Sequence, residues 1–185
     1  MENTIKTTQV FTTFKTKTIA TIIAIASAVL LPQLLHVLGL VSNMGSTLGE
    51  TFLPMHLAIF MVGFLAGKGA GLCAGLISPL ISFALTKMPS ATMLPFMMIE
   101  LAIYGLVAGI LSSVKMPLIV KLLIAQISGR AIRALAMLVG VYALGSHINI
   151  SIVWTSIYIG LPGLILQWVL IPLLMFYIEK KVKHE

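Results

Sequence analysis

Charge is what this chain has least of. Only 9% of its residues are Asp, Glu, Lys or Arg, and five of its 185 residues are acidic, where a soluble domain carries roughly 25% charged residues. Such a chain cannot clothe a water-facing surface. Cysteine is nearly absent as well: Cys73 stands alone, so neither a disulfide framework nor a cysteine metal cluster can form. Among small apolar neighbours, Cys73 reads as a packing residue. Catalytic signatures are missing too. There is no GxSxG, no HExxH and no P-loop, so the chain alone cannot drive nucleotide-dependent work. Ser78 precedes Pro79, but no His lies nearby in sequence to activate it as a nucleophile. The expectation is a protein that is not an enzyme and uses no cofactor.

What is present is apolar sequence, 59% of the residues, with a mean hydropathy of +1.09. A spanning helix needs about 20 apolar residues, so after loops and tails the chain holds about six. The expected architecture is all-α, one integral membrane bundle of six transmembrane helices over 1–185. The spans are expected near 18–40, 52–66, 70–86, 93–112, 118–144 and 152–178. The polar, mildly basic segment 1–17 is longer than a secretory n-region and precedes a run long enough to span, which reads as a retained first helix. The polar stretch VSNMGSTLGET at 41–51 is a candidate gating loop, and 179–185 is a basic tail suited to an anionic lipid surface.

The net charge of +7 is distributed over helix ends and tails rather than one patch, so no nucleic-acid partner is expected. Instead it sets orientation, because cytoplasmic loops are enriched in Lys and Arg. With both termini cytoplasmic, the inner segments hold Lys6, Lys15, Lys17, Lys68, Lys115, Lys180, Lys181 and Lys183, and the outer ones only Lys87.

This topology collects the polar residues toward the outer half. His36 and His56 fall near the outer ends of the first and second spans, and Glu100 about a third of the way in on the fourth. Arg130 and Arg133 lie near the middle of the fifth, with Asn149, Trp154 and Tyr158 at the outer rim. An intramembrane ionisable residue normally faces the bundle interior and has a partner. Glu100 can pair with Arg130 or Arg133 as a structural tie. Alternatively one Arg neutralises Glu100 while the other, with the histidines, binds an anionic or hydrogen-bonding solute. Trp154 and Tyr158, one turn apart, suit stacking on a flat ring or an interfacial aromatic belt. The histidines are too scattered for a metal site. Ala20, Ala24 and Ala28 form a small-residue stripe on which another helix can approach closely, either within the protein or from a partner.

Three stretches carry a family resemblance: LPMH at 53–56, GFLAGKGAGLCAGLISPLISF at 63–83 and LPFMMIELAIYGLVAGIL at 94–111. With six expected spans and the alanine stripe, the chain resembles the substrate-binding S components of energy-coupling factor (ECF) transporters. The resemblance implies a small bundle in the prokaryotic plasma membrane that captures a water-soluble vitamin or related micronutrient from outside. It implies docking of Ala20, Ala24 and Ala28, as an AxxxA-type motif, on a transmembrane coupling protein driven by two ATP-binding subunits. It also implies that 41–51 gates the site. Family members that bind nickel or cobalt use a histidine close to the N-terminus. Glu2 stands there instead, so no metal is expected. A stand-alone secondary transporter with Glu100 in proton coupling, or a structural membrane subunit, are the alternatives.

Overall fold

The computed structural model describes residues 9–43, 51–142 and 151–182. Among them there are seven helices and no strands: α1 (Phe14–Val41), α2 (Pro54–Ala66), α3 (Lys68–Thr86), α4 (Leu94–Leu111), α5 (Leu118–Tyr142), α6 (Ser151–Ile159) and α7 (Leu161–Val182). Five of these, α1, α3, α4, α5 and α7, are long and apolar enough to cross a bilayer, while α2 is apolar but shorter. Large apolar side chains such as Ile22, Ile23, Leu30 and Leu34 on α1 and Val169 and Leu173 on α7 stand exposed. On a soluble monomer so much exposed apolar surface would be untenable. The chain is a multi-pass helical membrane protein.

The bundle is built around α2. It is apolar all round and buried over most of its length, from Met55 and His56 through Ile59, Phe60 and Phe64 to Ala66, as a helix enclosed by others should be. It packs on α1, α3 and α4, with α7 touching it more lightly. The most extensive pairing joins α3 and α4, and glycine makes it possible. A Cβ at Gly71 would collide with the Gly105 backbone, and one at Gly105 with Gly71. Small residues let backbones approach in a bilayer, where packing rather than hydrophobicity drives helix association.

Three differences from the expected architecture have physical reasons. The last span is broken: Gly160 is a turn between α6 and α7. Pro162 lacks an N–H and its ring opposes the carbonyl four residues earlier, so a helix is interrupted before it and can restart with Pro in its first turn. The alanine stripe faces inward. Ala24 and Ala28 are 7% and 0% exposed within the core, and Ala20 packs against it, so the stripe is the surface on which α1 lies against α2 and α3. In the isolated chain the alanines thus serve its own packing, the first of the two uses open to the stripe. Cys73 is exposed on α3 rather than packed.

Candidate functional site

The second helix is short, and that creates a chamber. Its 13 residues span about 20 Å at 1.5 Å per residue, against a hydrocarbon core of about 30 Å. Beyond its N-terminus, among longer neighbours, lies a cavity of about 530 Å³. Leu53, Met55 and His56 form its floor; Pro32, Gln33 and His36 of α1 and Met97 and Glu100 of α4 line its sides. Arg130 and Arg133 reach it from α5, Met88 and Ser90 from the α3–α4 connection, and Thr155 and Ile159 from α6.

Glu100 is the electrostatic centre. It is 1% exposed, and both of its oxygens are taken: Arg133 Nη1 donates to Oε2 at 2.7 Å and the Tyr104 hydroxyl to Oε1 at 2.6 Å. The tyrosine is fixed in turn. His56 and Phe60 pack their rings on it at 5.3 and 4.9 Å between centroids. Gly129 of α5 leaves room for it, since a Cβ there would collide with the Tyr104 ring. Tyr104 follows Glu100 by one helical turn, the spacing at which side chains on a helix meet.

Arg130 is not used in this way. Among the described residues it forms no hydrogen bond or ion pair, and its buried Nε lacks a partner, as do Gln33 Nε2, His56 Nδ1 and Arg133 Nε. Buried polar groups are normally satisfied. All four belong to residues that line the cavity.

A second polar chain braces the floor. Trp168 Nε1 donates to Gln126 Oε1 at 2.9 Å, Gln126 Nε2 to Gln167 Oε1 at 2.9 Å, and Gln167 Nε2 to the Leu53 carbonyl at 3.4 Å. That carbonyl also accepts the His56 N–H at 3.1 Å. Leu53 adopts a left-handed conformation, φ 48°, unusual for a γ-branched side chain. The relay from α5 and α7 holds this turn, and therefore Met55 and His56, at the mouth of α2.

Of the residues expected from sequence, His36, His56, Glu100, Arg130 and Arg133 come together at the cavity. Trp154 and Tyr158 do not: they are 74% and 77% exposed, and α6 presents Thr155 and Ile159 to the cavity instead. Their aromatic rings lie on the outer face of α6, which suits an interfacial belt rather than stacking on a solute. Asn149 and 44–50 of the candidate gating loop lie outside the described residues. Sequence reasoning missed Gln33, Tyr104, Gln126 and Gln167. Gln33 lies one turn from His36 and Tyr104 one turn from Glu100, so extending each polar residue by three or four positions would have found both. Compared with protein-family models, characterised proteins and solved structures, the chain matches none.

Proposed function

We propose that this chain is the substrate-specific membrane subunit of an ECF-type ABC importer, taking up a water-soluble vitamin or related micronutrient. In this reading the protein sits in a prokaryotic plasma membrane with both termini cytoplasmic. α1 to α5 supply five spans, the shorter α2 among them, and the interrupted pair α6 and α7 supplies the sixth. The cavity then opens outward, because it lies beside His36 in the last turns of α1 and at the start of α2. The observation that carries the reading is the chamber itself: about 530 Å³, within the roughly 300 to 1,000 Å³ of small-molecule sites, with buried polar groups facing no partner. The resemblance of 53–111 to S components adds the mode of use.

Transport in this scheme needs a coupling protein and two ATP-binding subunits, since the chain has no nucleotide-binding motif of its own. The coupling protein approaches α1 on the outward face of Ile19, Ile22 and Ile23, not at Ala24 and Ala28. Proton coupling through Glu100 is the poorer reading, because a coupling carboxylate must be released to exchange its proton and both oxygens here are engaged. Proteoliposomes test the scheme. Those containing the full chain alone should bind a vitamin without ATP and accumulate none under a proton gradient. Adding a coupling protein and its ATPases should start ATP-dependent uptake. Proton-driven accumulation by the chain alone would overturn the proposal.

A further inference from the structure

If the chamber is a receptor for a solute, as proposed above, the groups it leaves unsatisfied define that solute's chemistry. Three of the four unpartnered buried atoms, Gln33 Nε2, Arg130 Nε and Arg133 Nε, can only donate; the fourth is His56 Nδ1, on a side chain 5% exposed. The side chains of Gln33, Arg130 and Arg133 line the cavity and bring mainly donors to its wall, so an occupant offering acceptors matches it better than one offering donors.

The charges narrow this further. Glu100 neutralises Arg133, and its two oxygens already accept from Arg133 and Tyr104. Arg130 remains as one positive charge without a counter-ion among the described residues. A cationic solute would meet Arg130 with no second carboxylate among the described residues to answer it, and a neutral one would leave the guanidinium uncompensated. A dianion would bring one charge too many. The rest of the wall is apolar: Pro32, Met55, Met93, Met97 and Ile159. Methionine thioethers form an adaptable surface for an uncharged body.

We propose that the chamber takes a singly charged organic acid: a carboxylate on a largely apolar, uncharged body. Arg130 meets the carboxylate, and Gln33 and His56 make further polar contacts. Arg presents a planar fork of donors that matches a carboxylate's two oxygens, which a neutral amide cannot reproduce.

Matched pairs test this directly. The purified full chain in detergent is titrated with nicotinate and nicotinamide, pantothenate and panthenol, biotin and biotinamide, with cationic thiamine and dianionic pyridoxal phosphate alongside. At least one acid should bind, with its neutral counterpart about 100-fold weaker, the scale of a lost charge-assisted hydrogen-bond pair. Arg130→Gln should erase most of that difference and R130K retain part of it. The wild-type ratio alone is decisive, so failure of a variant to fold does not remove the test. Equal binding of acid and neutral partner, or binding of thiamine, panthenol or pyridoxal phosphate with no acid bound, overturns the anion while leaving the receptor reading in place. If no compound binds at 1 mM, the receptor reading falls and the anion with it.

Discussion

At the scale of single residues the informative fact is that Glu100 is spent and Arg130 is not. Removing one partner of a buried ion pair costs about 3–5 kcal/mol, because the charge left behind has nothing to answer it. Arg133 keeps a little water access, its side chain being 16% exposed, so Glu100→Gln should cost about 3 kcal/mol, near the lower end of that range. Thermal unfolding in detergent should show it, with E100Q/R133Q recovering much of the loss. An E100Q protein as stable as the parent would mean the pair does not hold α4 to α5. Sequence alone narrowed the partner of Glu100 to Arg130 or Arg133, three positions apart on one helix. It could not choose between them, because the choice depends on how α5 is rotated and raised against α4.

The elements teach a related lesson about faces. In water, an amphipathic helix declares its inner face by polarity, but in a bilayer both faces are apolar and periodicity loses its direction. The alanine stripe on α1 was therefore legible as a close-packing surface but not as an inward one, and Trp154 with Tyr158 was legible as a pair but not as an outward one. The break in the last span went unread in an expected helix over 152–178, although Gly160 and Pro162 interrupt it by backbone chemistry that does not depend on surroundings. The direction of the stripe is open to a simple comparison. Ala28 is 0% exposed in the core and Ile23 is 60% exposed. Ala28→Leu should overpack the interface of α1 with α2 and α3 and destabilise by about 1–3 kcal/mol, lowering the unfolding temperature of the isolated chain. Ile23→Trp should leave that temperature unchanged. If A28L is as stable as the parent, the stripe does not pack inside.

For the whole molecule, composition and span length already specified a helical membrane bundle, whereas the chamber depended on something less visible, the shortness of α2 among longer neighbours. A void next to a short helix has no periodic signature; it follows from comparing lengths once the elements are stacked. In the proposed orientation, the side to which that void opens follows from the lysines. Eight flank the ends assigned to the cytoplasm, and Lys87 alone lies on the other side, a bias large enough to orient short loops. The turn after α3 and the turn after α4 should therefore lie on opposite sides of the membrane. Ala91 and Ser113 are exposed in these two turns. In a Cys73→Ser background, a membrane-impermeant maleimide should label A91C in intact cells, and S113C only after the membrane is permeabilised. The reverse pattern would turn the chamber toward the cytosol, where it could not capture a solute from outside. Labelling of both in intact cells would mean that α4 does not cross.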